Sequence, residues 1–257
     1  MPYFADYEWE ILPPDPPLPP HQQMGLEETL LDQVIGGERP PTLRFWEWTE
    51  PALVLGSHQV LANEIDSAAA AELGFTVCRR ISGGGTMIVE PGRSITYTLV
   101  CPDALVEGLS FVDSYAMLDG WVVDCLRDLG VPAGYRPVND IVSPEGKIGG
   151  AAQARRRRTV LHHTAIAYQM DPSIVPRLIR LGRERVSEMG VRSADKRVSP
   201  LHDWTSLTRE EIVSRLLARF SSLAVTRPVR LDEETRSRAR TLALQKYATG
   251  DWIDRLQ

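Results

Sequence analysis

A glycine-rich segment next to two arginines is the first feature of this sequence that could do chemistry. Residues Arg79–Ile88 read RRISGGGTMI. Consecutive glycines leave backbone N–H groups unshielded, and the arginines supply positive charge suited to phosphate or carboxylate. The pattern matches neither a P-loop nor a dinucleotide-binding fingerprint. It predicts a cradle for a negatively charged ligand, although a flexible loop with solvated arginines would also fit these residues.

A lysine beside small residues is the second candidate. Lys147 follows the segment Ser143-Pro144-Glu145-Gly146, whose proline second and glycine fourth are typical of a type I turn. The next residues include Gly149-Gly150-Ala151-Ala152, which leave room for a thin ligand. An ammonium group placed there could stabilise negative charge developing on a carbonyl or phosphate oxygen. Most single lysines are merely solvated, so the adjacent small residues are what distinguish this one.

Histidines, arginines and cysteines give weaker signals. His162 and His163 are adjacent on a predicted strand and therefore point to opposite faces, so we expect packing or orienting roles rather than joint metal binding. The run Arg155–Arg158 is typical of a solvated turn, although it could meet an acidic partner. Cys78, Cys101 and Cys125 have no metal-ligand spacing, and we expect them to be buried. Cys78 is the only cysteine that we consider as a nucleophile, because the charge of Arg79 beside it could lower the pKa of its thiol. Its place inside a predicted strand argues against that role.

Composition limits the class of protein. The chain has 257 residues, 43% of them hydrophobic, which is enough for one large core. A formal net charge of -5 gives no electrostatic reason to expect nucleic acid as a partner. No apolar run approaches the roughly 20 residues that cross a bilayer, and the first residues lack the layout of a signal peptide. We therefore expect a cytoplasmic protein without a membrane partner.

The elements that must position these residues follow from periodicity. Residues 1–22, with the proline-rich Pro13–Pro20, are predicted as an extended arm, and residues 23–257 as the catalytic domain, with no separate C-terminal accessory domain. Predicted helices are Met24–Ile35, Asn63–Leu73, Ser110–Leu129, Ser173–Leu181, Arg209–Phe220 and Asp232–Tyr247. Predicted strands are Thr42–Trp48 paired with Ala52–Gly56, then Phe75–Arg80, Ser94–Val100, Asn139–Val142, Lys147–Gln153 and Val160–Met170. Hairpin-like strands among helices favour an α+β fold with a mixed, mainly antiparallel sheet flanked by helices.

Four segments together resemble the lipoate–protein ligase A family, including its octanoyl-transferase relatives. They are RFWEWTEPALVLGSHQ (Arg44–Gln59), RRISGGGTMI (Arg79–Ile88), NDIVSPEGKIGGAAQ (Asn139–Gln153) and LHHTAIAY (Leu161–Tyr168), in the family's order and spacing. The resemblance runs from about Met24 to the C-terminus. It implies the fold of the biotin/lipoate protein ligase catalytic domain, with lipoate or octanoate held in a tunnel. In family ligases, ATP with Mg²⁺ activates the acid as an acyl-adenylate, and the acyl group passes to a lysine of a lipoyl carrier domain.

The resemblance also implies roles for individual residues of the site. Lys147 matches the catalytic lysine that touches both carbonyl and phosphate, and Arg80 matches a phosphate contact. Asn139 and Asp140 match a pair that borders the nucleotide and its magnesium, and His163 matches a histidine beside the acyl-binding strand. The full binding set implied is Arg79, Arg80, Ser82, Gly83, Gly84, Gly85, Thr86, Met87, Ile88, Asn139, Asp140, Gly149, Gly150, Ala151 and His163. No metal-binding side chains are assigned.

Two departures from the family pattern keep alternatives open. Where the transferase branch has a nucleophilic cysteine, this chain has Val138-Asn139-Asp140, and the residues after the glycines differ from those of typical ligases. Because the chain lacks that cysteine, the leading hypothesis is an ATP-dependent lipoate–protein ligase. The alternatives are a lipoyl or octanoyl transferase that uses a pre-activated acyl donor, a non-catalytic module that binds an acyl group or carrier, and an unrelated function. A separate accessory subunit is a further possible partner.

Overall fold

Two β-sheets form the framework of the chain in a computed structural model that describes residues 3–14, 16–181, 190–191 and 193–256. The strands are β1 (Glu8–Leu12), β2 (Thr42–Trp46), β3 (Ala52–Leu55), β4 (Thr76–Arg79), β5 (Met87–Val89), β6 (Ser94–Pro102), β7 (Gly134–Arg136), β8 (Asp140–Ser143), β9 (Gly146–Arg156), β10 (Thr159–Ala167) and β11 (Val225–Pro228). The helices are α1 (Pro20–Ile35), α2 (Leu61–Glu64), α3 (Ser67–Glu72), α4 (Phe111–Asp128), α5 (Val175–Leu178), α6 (Arg209–Leu223), α7 (Glu233–Leu242) and α8 (Gly250–Ile253).

The large sheet has eight strands in the order β11-β1-β2-β6-β10-β9-β8-β7. Strand β1 is parallel to both of its neighbours, and every other pair in this sheet is antiparallel. Helices α4 and α6 cover one face and bury a cluster that includes Trp121 and Phe220, while α1 and α7 pack together elsewhere on the sheet. The predicted α+β fold with a mixed, mainly antiparallel sheet flanked by helices is confirmed.

The small sheet corrects one sequence prediction. Strands β2 and β3 were expected to pair with each other, but β2 pairs with β1 and β6 in the large sheet. Strand β3 is instead the centre of a three-stranded sheet, parallel to β4 and antiparallel to β5. Both strands are buried along their whole length, so each needs hydrogen-bonding neighbours on both edges. The connection between them therefore crosses from one sheet to the other.

The predicted N-terminal arm is also shorter than expected. Within residues 3–14, β1 is an internal strand of the large sheet, and Trp9 is fully buried in its core. Helix α1 begins at Pro20, where the missing N–H costs nothing because the first turn of a helix leaves its N–H groups free. The prediction for Met1, Pro2 and Asp15 lies outside the described residues. Only the prolines between β1 and α1 retain the character of an extended connection.

Local signals located most helices correctly. Ser110 caps α4 through its side chain, and Thr208 with Glu211, which have capping-box spacing in the sequence, form a capping box at the start of α6. The predicted helix Asn63–Leu73 is divided into α2 and α3, because Asp66 accepts a hydrogen bond as the cap of a new helix. Helix α7 continues as a wider π-turn over Ala243–Tyr247. Among the described residues, no helix has the length and apolar character needed to cross a bilayer.

Candidate active site

A cavity of about 530 Å³ lies where the β9–β10 hairpin faces the small sheet. Its floor is the run Gly149–Ala152 of β9, which pairs with His163–Ile166 of β10. Apolar side chains such as Met87, Ile88, Ile166, Met170 and Ile179 make up most of the remaining wall. The polar groups that reach the cavity include Arg80, Asn139, Lys147, His163 and Lys196. A long apolar space with a few cationic groups suits an acyl chain that ends in a carbonyl or an acid.

The glycine-rich loop is held in shape by Arg80. Its guanidinium donates to Ser82 Oγ at 2.9 Å, to Val54 O at 2.8 Å, and to Gly83 O and Gly85 O at 2.5 and 2.8 Å. Burial lowers the pKa of Arg80 to about 10. Since an arginine has five N–H donors, these four bonds leave little for a ligand. Arg80 thus lines the cavity, but its guanidinium acts chiefly on the carbonyls of the glycine-rich loop.

Arg79 lies away from the cavity. Its side chain is fully buried and donates to Gly56 O, Gln59 O and Ile253 O at 2.5 to 2.9 Å. Neighbouring side chains on a strand point to opposite faces, so the two consecutive arginines could not both reach one ligand. Arg79 instead connects the C-terminal segment to the edge of the small sheet. Arg79 was predicted to contact the ligand, but its side chain does not line the cavity.

A directed chain of hydrogen bonds supports the loop from below. Ser82 Oγ lies 2.7 Å from His163 Nε2, and His163 Nδ1 lies 3.2 Å from Glu27 Oε2. Since the carboxylate oxygen of Glu27 can only accept, Nδ1 carries the proton of a neutral histidine, and Nε2 accepts from the Ser82 hydroxyl. Burial lowers the pKa of His163, in keeping with that neutral form.

The Ser–His–Glu order resembles a hydrolytic triad, but the position of the serine argues against that role. Ser82 has no exposed surface. Neither Ser82 nor Gly83 lines the cavity. His162, on the opposite face of β10 as predicted, contacts Asp119 of α4 at 2.7 Å and belongs to the core. Only one of the adjacent histidines, His163, therefore reaches the site.

Lys147 and Lys196 share the carboxylate of Asp140. Lys147 Nζ lies 2.9 Å from Asp140 Oδ1, and Lys196 Nζ pairs with Oδ2. Asp140 is buried behind the lysines and does not itself line the cavity. Burial lowers the pKa of Lys147, and Asp140 partly offsets this effect. The lysine folds back over Gly150, where a Cβ atom would collide with Nζ, so only glycine permits this conformation.

Ser193, Ala194, Lys196 and Val198 of the segment 193–199 line the cavity, although no sequence signal identified them. Thr86 N donates to Ser193 Oγ at 2.9 Å, so this segment closes over the glycine-rich loop. Lys147 N donates to Arg197 O at 2.8 Å, which ties the same segment to the hairpin. Phe111 and Tyr115 of α4 also line the cavity and were likewise missed. Their spacing of four residues marked a helix face, but nothing local indicated what that face would meet.

All three cysteines are buried away from the cavity. Cys78 lies in β4 of the small sheet, and Cys101 and Cys125 belong to the main core. Burial raises the pKa of Cys78 to about 12, an effect that nearby Arg80 only partly offsets. The activating influence considered for Arg79 is therefore not found. Val138 lines the cavity and is 50% exposed, so the segment Val138-Asn139-Asp140, which this chain has where the resemblance implies a cysteine in the transferase branch, reaches the site.

The side chains do not form a ready magnesium site. Asp140 has both oxygens in ion pairs with lysines, and no cluster of three or more His, Cys, Asp or Glu residues suited to a metal occurs in the described part of the chain. Magnesium that accompanies a nucleotide is usually held by one or two carboxylates together with the phosphates. A metal at Asp140 would have to displace two ammonium groups.

Comparison with known proteins gives a consistent picture. Residues 19–221 match the family described as "Lipoyl protein ligase A/B catalytic domain". The chain is 28% identical to octanoyltransferase LipM of Geobacillus kaustophilus, over 91% of this chain and 94% of the relative. It is 24% identical to a probable lipoate-protein ligase A of Mycoplasma pneumoniae, over 91% of this chain and 68% of that relative.

Solved structures show the same fold. A bi-partite lipoate protein ligase from Thermoplasma acidophilum, described with its E2 lipoyl domain, superposes with a TM-score of 0.81 at 23% identity, over 97% of each chain. A lipoate-protein ligase A bound with ATP superposes with a TM-score of 0.80 at 24% identity, over 97% of this chain and 100% of that one. At these identities the likeness concerns the fold.

Proposed function

Because the chain belongs to the lipoyl protein ligase A/B catalytic domain family, we propose that it transfers an octanoyl-type acyl group from a pre-activated donor to a lysine of a lipoyl domain. The observation that carries this proposal is the likeness to octanoyltransferases over nearly the full length of both chains. The transferase alternative is thus better supported than the ATP-dependent ligase that led the sequence hypotheses. The E2 lipoyl domain described with the Thermoplasma ligase supports a lipoyl domain as acceptor.

The cavity suits the chemistry of thioester aminolysis. The acyl chain would lie along the apolar wall, with its carbonyl at the small residues Gly149–Ala152 and within reach of Lys147. As the acceptor amine forms the C–N bond, negative charge builds on the carbonyl oxygen, and an ammonium group stabilises it. The C–S bond then breaks, and the proton lost by the nitrogen balances the one gained by the leaving thiolate. No nucleotide is required, since the thioester is already activated.

Comparing acyl donors tests the proposal. The purified chain is incubated with a lipoyl domain and either octanoyl-carrier thioester, or free octanoate with ATP and magnesium, and acylation is followed by intact-protein mass spectrometry. We expect transfer from the thioester without nucleotide. Transfer only from free acid with ATP would replace the proposal with the ligase function, and binding of donor without turnover would favour a non-catalytic module.

The burial of the cysteines supports a direct transfer without an acyl-enzyme. A thioester-forming nucleophile must be exposed as a thiolate, but Cys78, Cys101 and Cys125 are buried, and burial raises the pKa of each thiol. We expect the Cys78→Ser, Cys101→Ser, Cys125→Ser variant to keep transfer within about threefold, provided that it folds, and the native enzyme to show no hydroxylamine-labile adduct. A single-cysteine series serves as the control if the triple variant is unstable. An adduct on any cysteine, lost together with activity, would contradict direct transfer.

The Val138→Cys variant complements this test, because it should form the acyl-enzyme that the native chain does not form. This side chain is half-exposed in the cavity wall, so a thiol there would meet the bound acyl carbonyl. We expect this variant to accumulate an octanoyl thioester that hydroxylamine removes, whereas Val138→Ser does not. If Val138→Cys forms no adduct in the presence of donor, the acyl carbonyl lies elsewhere in the cavity.

The ligase remains the second candidate on one specific observation. The residues that line the cavity include no cysteine, and a ligase needs none because its intermediate is a noncovalent acyl-adenylate. A lipoate-protein ligase A of the same fold is described with bound ATP. Lys147 would then contact the phosphate first and the acyl carbonyl afterwards. Omission of ATP in the donor comparison separates the two candidates.

A further inference from the structure

One carboxylate at the cavity serves two lysines. Asp140 Oδ1 and Oδ2 pair with Lys147 and Lys196 respectively, and Arg80 adds a third cation close by. A single carboxylate neutralises one ammonium group, so the cluster keeps an excess of positive charge. Such an excess is stabilising only when negative charge arrives or develops beside it. The acyl transfer proposed above assigns a role to Lys147 but none to Lys196.

The backbone fixes Lys196 at this place. Lys147 N donates to Arg197 O at 2.8 Å, and Ser199 N donates to Lys147 O at 2.8 Å, so a short parallel bridge flanks Lys196. Ser193, three residues earlier, is bound to the glycine-rich loop through Thr86 N. The segment is thus anchored on both sides of the lysine. Arg197, by contrast, is 76% exposed at its side chain and pairs outward with Glu145.

We propose that Lys196 is a positioning residue for Lys147: it holds Asp140 when the Lys147 ammonium turns from that carboxylate to the oxygen of the acyl carbonyl. This inference rests on the proposed acyl transfer and deepens it. A buried carboxylate that loses its only partner is strongly destabilised, which would keep Lys147 in its ion pair. With Lys196 on the second oxygen, Asp140 stays paired throughout. Lys147 is then free to stabilise charge in the transition state.

Kinetics of three variants test this role. Lys196→Ala should lower kcat about 10- to 100-fold and change KM for the acyl donor less than about threefold, because the lost effect acts in the transition state. Lys196→Arg should retain most of kcat, since it keeps a cation on Asp140. Arg197→Ala, the matched control, should match the native enzyme. Native kcat in Lys196→Ala, or an equal loss in Arg197→Ala, would overturn the proposal.

A double variant gives a readout that a merely structural role would not produce. Replacing Asp140 by asparagine in the Lys196→Ala background removes the charge that retains Lys147. We therefore expect Asp140→Asn, Lys196→Ala to be faster than Lys196→Ala alone, since residues that share one network are not additive. Strictly additive losses would count against the proposal.

Labelling of Lys147 separates this inference from the proposed function. Competitive acetylation at graded pH, read by peptide mass spectrometry, reports the pKa of Lys147 without acyl donor or lipoyl domain. The charged groups that act on Lys147 are Asp140, Lys196 and Arg80. Removal of the like charge in Lys196→Ala should raise the pKa of Lys147 and slow its labelling, whereas Arg197→Ala should not. If native transfer fails but labelling responds, the proposed function falls and the coupling stands; unchanged labelling overturns the coupling itself.

Discussion

Replacement of Lys147 by alanine is expected to lower kcat/KM for acyl transfer by about 10²- to 10³-fold, the range seen when a donor to a developing oxyanion is removed. The reason is geometric: Lys147 is the ammonium that folds back over Gly150 and faces the small-residue floor of the cavity. The measurement is the initial rate of lipoyl-domain acylation at saturating and limiting donor. Dissociation of a fluorescent acyl donor reports whether ground-state binding is retained.

Stability should change little in Lys147→Ala. Asp140 keeps Lys196 as a partner, so the substitution leaves no unpaired buried carboxylate. The Lys147 side chain is 31% exposed, and its removal creates only a small loss of packing. We expect the thermal unfolding midpoint to shift by no more than a few degrees. Native transfer rates in a folded variant would remove Lys147 from the mechanism.

Gly84→Val should have the second largest effect on transfer. Gly84 has a φ of 85°, a conformation that a β-branched residue adopts at a cost of about 1–2 kcal/mol. A Cβ atom there would also stand 3.2 Å from Arg80 Nη2 and enter the cavity beside Ala152. We expect loss of acyl-donor binding by at least about tenfold, measured by titration, together with a lower free energy of unfolding.

Gly92→Val separates strain from function. Gly92 has a φ of 67°, a Cβ atom added to it would have no neighbour within 4 Å, and the residue does not line the cavity. Both variants therefore carry the backbone penalty, but only Gly84→Val should lose donor binding. Equal binding by the two variants would mean that the glycine-rich loop is only a connection between strands.

The sequence by itself determined the elements and the motifs. Capping residues and periodicity located α4 and α6, and the turn before Lys147 predicted the β8–β9 hairpin, because these signals act within a few residues. The order of the glycine-rich, lysine and histidine segments indicates the family, and the match over residues 19–221 confirms it.

The tertiary structure alone decided which of those residues meet. It separated β2 from β3 into different sheets, because each buried strand required neighbours that are distant in the chain. It directed Arg79 away from the cavity, since alternation along β4 admits one arginine to the site. It also brought Lys196 to Asp140 across 56 residues and Ser193 to Thr86 across 107. Periodicity and capping reach only along one element, so contacts between elements on opposite sides of a cavity carry no local signal, and the second lysine of this site could be found only once the chain was folded.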